Sequence, residues 1–340
     1  MNDFTVAIPT YNGAKRLPKL LAKLRSQIGT EQFSWAIIVV DNNSTDNTKD
    51  VVQAVQTRWG DGPDLHYAFE PNQGAAFARL KAMELTTSDW VGFLDDDVIP
   101  ADDWVAQAYG FARQRPNVGV YGGQIHGEFE IEPPPNFARI QSFLAIRERG
   151  ERPHRYNPTY LSLPPSAAWV VRKQAWLQSV SSQPKLGGRT QGSMVQGDDY
   201  EPLLHMHRNH WEIWYNPDMH VFHQIPKSRL DPGYLLALSR GCGLCICQLR
   251  MINTPPWQKP FLFVKLLLSN LRRVVLHWLK YRHVLNTDVV AACEMAFFIG
   301  SFVSPFYYLK TLLGPRKKVN LGENSGSLYS RTQSTAVHRI

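Results

Sequence analysis

Trp90-Val91-Gly92-Phe93-Leu94-Asp95-Asp96-Asp97-Val98-Ile99-Pro100 joins an apolar run to three consecutive carboxylates and closes on a proline. An apolar run of this length reads as a buried strand, and open α/β sheets bind their ligands beyond the C-terminal ends of such strands. The acids therefore fall at a candidate binding edge. Adjacent carboxylates repel one another, so the cluster demands a positive partner. A hard divalent cation, Mg²⁺ or Mn²⁺, bridging to substrate phosphates is the simplest one. The alternative is a solvated turn whose Asp caps the next helix.

The residues before this stretch supply the rest of a sheet. Phe4-Thr5-Val6-Ala7-Ile8-Pro9 reads as a strand, followed by the turn Thr10-Tyr11-Asn12-Gly13. Leu17, Leu20, Leu21, Leu24 and Ile28 recur at helical spacing, with Lys and Arg on the outer face. Trp35 to Val40 is a second strand ending in Asp41, and Asn42-Asn43-Ser44-Thr45-Asp46 opens a helix running to about Arg58. A third strand at Leu65 to Phe69 leads through Pro71-Asn72-Gln73-Gly74 to a helix carrying Arg79. Strands alternating with helices predict a mainly parallel sheet with right-handed crossovers. Pro9, Thr10, Asp41 and Asp95 to Asp97 then collect on one edge, where a nucleotide would lie. Neither G-x-G-x-x-G nor G-x-x-x-x-G-K-[ST] occurs, so phosphates must be held by another device, for which a metal on Asp95 and Asp97 would serve.

Four segments in this order resemble the successive signatures of the family 2 glycosyltransferases, of GT-A fold. They are Val6-Ala7-Ile8-Pro9-Thr10-Tyr11-Asn12, Val40-Asp41-Asn42-Asn43-Ser44-Thr45-Asp46-Asn47-Thr48, Asn72-Gln73-Gly74-Ala75-Ala76-Phe77-Ala78-Arg79 and Leu94-Asp95-Asp96-Asp97. The likeness extends over roughly residues 4–225, and within the family it is nearest to the hormogonium-polysaccharide enzymes of filamentous cyanobacteria. It implies an α/β, Rossmann-like nucleotide-binding sheet, a nucleoside-diphosphate sugar donor, with a UDP-sugar favoured, and a divalent metal, Mn²⁺ or Mg²⁺. Asp41 would meet the nucleotide base, helped by the backbone of Pro9 and Thr10, with Tyr11 and Asn12 beside it. Arg79 would approach the base or diphosphate, Asp95 the ribose, and Asp97 the metal. Asp96 is grouped with the nucleotide-binding residues without a contact of its own. For Asp41 by itself a helix-capping turn is the competing reading.

The middle of the chain is expected to carry the acceptor site. Gly122-Gly123 follows the strand Val118 to Tyr121 and allows either close approach to a ligand or a bend. Glu128 to Pro165 is proline-rich and charged, reading as long loops over the active-site face. Ser166 to Arg172 resembles the family's segment beneath the acceptor sugar, where Trp169 is either a stacking surface or core packing. Gln196-Gly197-Asp198-Asp199 matches the family's acidic pair, with Asp at the first position where Glu is usual. The resemblance makes Asp199 the catalytic base and Asp198 a neighbour or acceptor ligand. The competing reading is a pair of acids in a first helical turn. His223 matches a family histidine that reaches the metal or diphosphate, against a structural role. No Gln-x-x-Arg-Trp motif is present, which argues for addition of one sugar, or few, per encounter.

Charge separates the chain into unlike parts. Of the 37 Lys+Arg and 29 Asp+Glu, residues 1–256 hold 25 and 26, whereas residues 257–340 hold 12 and 3. Trp257 to His283 interleaves long aliphatics with Lys265, Arg272, Arg273, Lys280 and Arg282, the pattern of a helix lying in a membrane interface. Val289 to Leu309 has Glu294 as its sole charge and is long enough to span a bilayer, but Gly300, Pro305 and the acid fit a re-entrant or interface-packed pair equally. A soluble helical subdomain is the alternative. Cys242, Cys245, Cys247 and Cys293 lack a second ligand cluster at zinc spacing and read as plain thiols.

The expected organisation is a GT-A catalytic domain over 1–230, divided into nucleotide-binding (1–115) and acceptor-binding (116–230) halves. A membrane-associating helical region follows over 231–319, then a disordered tail over 320–340. No secretory signal is evident at the N-terminus, so the expected location is the cytoplasmic face of the plasma membrane, held peripherally or monotopically through 257–313. The expected activity is inverting sugar transfer to a saccharide or lipid-linked saccharide. A non-catalytic nucleotide- or carbohydrate-binding protein on a degenerate transferase fold is the rival. A sugar-1-phosphate nucleotidyltransferase is disfavoured because Tyr11-Asn12-Gly13-Ala14 is not a basic, Gly-rich triphosphate loop. Nucleic-acid binding is disfavoured because the basic surplus lies among aliphatics.

Overall fold

Val6, Ile8, Ile37, Val39 and Leu94 are completely buried on neighbouring strands, and this shared apolar layer is what the first third of the chain folds around. The computed structural model describes residues 2–183 and 194–313. The chain runs β1 (Phe4–Thr10), α1 (Leu17–Arg25), β2 (Trp35–Asp41), α2 (Thr48–Gln56), β3 (Asp64–Phe69), α3 (Ala75–Leu85) and β4 (Trp90–Leu94). These four strands pair in the order β3-β2-β1-β4, all parallel, with Thr10 opposite Asp41. Their C-terminal tips therefore share one edge, as the alternation of strands and helices predicts.

The chain continues through β5 (Val98–Pro100), α4 (Trp104–Arg113), β6 (Val118–Phe129), β7 (His154–Arg155), β8 (Ala168–Arg172), α5 (Lys173–Ser179), α6 (Tyr200–Arg208) and β9 (Glu212–Ile225). The sheet extends as β4-β8-β6-β9-β5, with β7 pairing β9. Here it becomes mixed: β8 is antiparallel to both β4 and β6, while β6 and β9 are parallel. No helical crossover returns the chain between β6 and β8, so nothing carries it back to the starting edge of the sheet.

Two local expectations change. Ile28 lies beyond the end of α1 and is 58% exposed, because Gly29 adopts positive φ and turns the chain away. Gly122 and Gly123 are buried inside β6, not at its end, and the register with β9 shifts between Gly122 and Gln124. A Cβ on Gly123 would lie 2.1 Å from the backbone oxygen of Met219. The glycine is needed for strand-to-strand approach at a bulge, and neither residue is available to an acceptor.

Four helices follow: α7 (Pro232–Leu244), α8 (Ile246–Ile252), α9 (Lys259–Tyr281) and α10 (Val289–Leu313). α10 packs against α7, α8 and α9. Its contact with α7 is close: a Cβ on Gly243 would meet Phe297 O at 2.4 Å, and one on Gly300 would meet Arg240 O at 2.5 Å. Glu294, the acid within the apolar run, is bound by Arg139 from the segment after β6, whose Nε donates to Oε1 at 3.1 Å. Arg139 also donates to the Tyr281 hydroxyl at 3.0 Å, tying both long helices to the sheet-bearing body. No disulfide joins Cys242, Cys245, Cys247 and Cys293. The expected disordered tail over 320–340 lies outside the described residues.

Candidate active site

The three acids at the end of β4 each face a different arginine. They occupy a tight turn closed by the Val98 N–H bonded to Asp95 O at 3.2 Å. Asp95 lies 3.8 Å from Arg79 on α3. Asp96 accepts from Arg16 Nε and Nη2, each at 2.8 Å, and from the Thr10 hydroxyl. Asp97 accepts from Arg229 Nη2 at 2.7 Å. The repulsion anticipated from sequence is thus offset by three guanidiniums drawn from separate parts of the chain, of which Arg16 grips Asp96 with two parallel bonds, the strongest charge-assisted geometry. Burial nevertheless pushes the Asp96 carboxyl up, against the pull of Arg16.

These residues line a cavity of about 380 Å³ at the strand-tip edge. Pro9, Thr10 and Tyr11 contribute from the tip of β1, Gly74 and Arg79 from the start of α3, and Asp95, Asp96 and Asp97 from the acidic turn. Asp198, Asp199 and Arg229 close it from the second half of the chain. Gln196 and the neighbouring acids are held at the N-terminal end of α6, where backbone N–H groups favour negative charge.

Asp199 faces this cavity while protein encloses its other sides. Burial, and then the charge of Asp198, push its carboxyl up to about 7, with Arg79 pulling the other way. A carboxyl poised near neutrality is suited to accept a proton from a hydroxyl. Asp198 is already engaged: its Oδ2 accepts from Arg79 Nη1 at 2.9 Å. Arg79 Nη2 donates to the Ser166 hydroxyl at 2.7 Å, and the guanidinium lies 5.8 Å from the centre of the Trp169 ring. Arg79, expected at the base or diphosphate, lines the cavity and also ties the two halves of the site together.

His223 lies on β9 opposite Val98. Its Nδ1 donates to Leu144 O at 2.9 Å, and its Nε2 accepts from Arg229 Nη1 at 3.1 Å, since a guanidinium can only donate. Nε2 also lies 3.5 Å from Asp97 Oδ2, and Arg229 bridges the two. A carbonyl on Nδ1 and an outward Nε2 are the arrangement found behind metal-ligating imidazoles. Among the described residues no three His, Cys, Asp or Glu side chains converge into a closed cage.

Several expected residues are placed elsewhere. Asp41 is buried, with its oxygens accepting from the Ser44 N–H at 2.9 Å and the Tyr67 hydroxyl at 2.8 Å. It braces the turn after β2, and the neighbouring Asn42 lines the cavity instead. Asn12, at φ 50°, accepts from the Thr45 N–H at 2.8 Å and fastens the first turn to the second. Trp169 is fully buried, edge-on to Phe93 at 6.4 Å, and offers no face to an acceptor. Arg16, Ser166 and Arg229 were not singled out by sequence. Arg16 is one of several cations in its region, and Arg229 follows a strand by no regular spacing, so only the fold selects them.

A mixed sheet with its acids at one strand-tip edge, facing a buried carboxylate from a following helix, defines the GT-A transferases. The sequence matches the family described as Glycosyl transferase family 2 over residues 5–174, half of the 340-residue chain, and the chain belongs to that family. It is 32% identical over 152 residues to the uncharacterized glycosyltransferase YfnE of Bacillus subtilis, covering 43% of this chain and 38% of that protein. It is 29% identical over 153 residues to GalNAc(5)-diNAcBac-PP-undecaprenol beta-1,3-glucosyltransferase of Campylobacter jejuni, covering 44% and 46%. Each match spans less than half the length of the relative, and neither singles out the hormogonium-polysaccharide type. The mannosyltransferase PcManGT of Pyrobaculum calidifontis, solved with GDP-Man and Mn²⁺, superimposes with a TM-score of 0.55 over 92% of this chain and 87% of that one. At 19% identity this establishes the shared fold.

Proposed function

We propose that this glycosyltransferase moves a sugar, with inversion, from a nucleoside-diphosphate donor to a hydroxyl of a saccharide or lipid-linked saccharide. The observation that carries the reading is Asp199, a carboxyl raised to about 7 and facing the cavity that Asp95 and Asp97 also line. The acceptor hydroxyl gives its proton to Asp199 as its oxygen forms the new bond to the anomeric carbon. The bond from that carbon to the diphosphate breaks on the opposite face, which inverts the centre. Thr10 and Tyr11 offer backbone groups to the nucleoside, and Asp95, about one-third exposed, offers its carboxylate to the ribose. Asp97 and His223 would hold Mn²⁺ or Mg²⁺, which when bound supplies positive charge to the departing diphosphate. Arg229, in contact with both side chains, is a second donor for the same phosphates.

A UDP-sugar is the favoured donor, and the organisation into a catalytic body over 1–230 with a membrane-side region over 231–319 is part of this reading. The undecaprenol-linked substrate named for the Campylobacter relative supports an acceptor held at a bilayer, and two apolar helical stretches support membrane association, at the cytoplasmic face. The test is Mn²⁺-dependent release of UDP from UDP-sugars in the presence of polyprenyl-linked saccharides. Wild-type turnover with none from Asp199→Asn is expected. Metal-dependent UDP binding without turnover on any saccharide would favour a binding protein.

A further inference from the structure

α9 buries two polar side chains, Asn270 and His277, along with Leu266, and leaves a stripe of large apolar residues exposed. Asn270 Nδ2 donates to Ser301 O at 3.1 Å and His277 Nε2 donates to Ala291 O at 2.9 Å, both buried against α10. On the opposite side Phe261 and Leu268 are 72% and 64% exposed, in line with Val264, Val275 and Leu279. Water selects the reverse arrangement, and a contiguous apolar face of this kind marks an interaction surface. Hydrocarbon selects what is seen here, because polar groups must then find partners inside the protein.

Charge identifies the occupant. At 3.6 residues per turn, Lys265, Arg272 and Lys280 fall along one border of the apolar face, and α9 contains no acid. A second copy of the chain would bring these cations against one another, whereas an anionic lipid surface neutralises them. Hydropathy alone points to other helices: Pro232–Ile252 and Val289–Leu313 are long and apolar enough to cross a membrane, at mean hydropathies of 1.4 and 1.7. Yet α10 lies between α7 and α9, with Glu294 bound to Arg139 of the sheet-bearing body. α10 is held on its inner side by residues between Val290 and Pro305 and exposes Phe306, Leu309 and Leu312 near its end, whereas α9 carries the longer exposed apolar stripe.

We infer that the chain is monotopic: the outer face of α9 lies at the headgroup–acyl boundary of an anionic phospholipid bilayer, Lys265, Arg272 and Lys280 engage lipid phosphates, and α10 does not cross. This rests on the membrane-side reading above and deepens it by naming the face, the lipid and the topology. The experiment uses the full chain with phosphatidylcholine vesicles, with and without phosphatidylglycerol. Wild type is expected to co-sediment with phosphatidylglycerol vesicles and weakly with phosphatidylcholine alone. Arg272→Glu with Lys280→Glu lowers binding to the anionic vesicles by roughly fivefold or more per cation. Leu268→Glu with Val275→Glu removes binding to both. All three proteins keep the same melting temperature and the same Mn²⁺-dependent affinity for UDP. Tags at the C-terminus and in the turn between α9 and α10 are cut by protease from the same side of sealed membrane vesicles. Unchanged binding in either variant, a wild type that dimerises and ignores phosphatidylglycerol vesicles, or tags on opposite sides overturns the inference. Absence of sugar transfer by a wild type that binds vesicles would instead count against the catalytic reading alone.

Discussion

Arg79 Nη1 stands 2.9 Å from Asp198 Oδ2, and this contact joins the helix after β3 to the acid that precedes the candidate base. The same guanidinium reaches Ser166 and lies 3.8 Å from Asp95, so one buried side chain fixes the spacing between the nucleotide edge and the acceptor side. Removing one partner of a buried ion pair leaves the other charge uncompensated, at a cost of about 3–5 kcal/mol. Arg79→Met is expected to lose stability of that order in urea denaturation. Arg79→Lys should recover part of it, lacking the planar fork that spans three partners.

Asp199 makes activity and stability respond to pH in opposite senses. The base must be ionised, so kcat/KM should rise with pH and level off above about 7. Asp198→Asn removes a repulsive charge and should move that limb toward acid. For stability, the folded-state value lies above the ordinary 3.8, so the unfolded chain ionises first. Nothing is lost below about pH 4, stability falls as pH rises toward about 7, and it is level beyond. A rise from 3.8 to about 7 corresponds to roughly 4 kcal/mol at most. Asp199→Asn should therefore be inactive by about 10²-fold or more, yet melt higher than wild type at pH 8 and no higher at pH 4. Equal melting temperatures at both pH values would count against a buried, raised carboxyl.

The middle and last acids of the turn should separate cleanly. Asp96 is enclosed by Arg16 and Thr10, so Asp96→Asn should cost about 1.5–3 kcal/mol of stability and leave Mn²⁺ affinity near wild type. Asp97→Asn should abolish the Mn²⁺ dependence of UDP binding in calorimetry, with a smaller change in melting temperature. Chelation of the wild type should reproduce that loss.

Trp169 distinguishes core from acceptor contact. Trp169→Phe keeps a ring against Phe93 and should leave the acceptor KM unchanged, whereas Trp169→Ala should cost about 3–5 kcal/mol. A rise in acceptor KM for the Phe variant at unchanged melting temperature would place the ring in contact with substrate.

The sequence by itself determined the strand-tip architecture. Apolar runs at Phe4, Trp35 and Trp90, separated by amphipathic helices, admit few other folds, and each run ends in the polar residues that reach the shared edge. The family resemblance also marked Asp97, Asp199 and His223, and the fold brings the first two to the cavity and the third within 3.5 Å of Asp97. What pattern could not decide was which residue answers which charge. Arg16, Arg79 and Arg229 lie 80, 119 and 132 positions from the acids they bind, Asp96, Asp198 and Asp97, and pairing at such separations is set by packing. The same holds for Gly123, Trp169 and Asp41, whose environments belong to the closed sheet and not to their neighbours in sequence. α9 is the last case: its hydropathy is diluted by cations, and only the tertiary structure, by directing Asn270 and His277 toward α10, shows which face is left exposed.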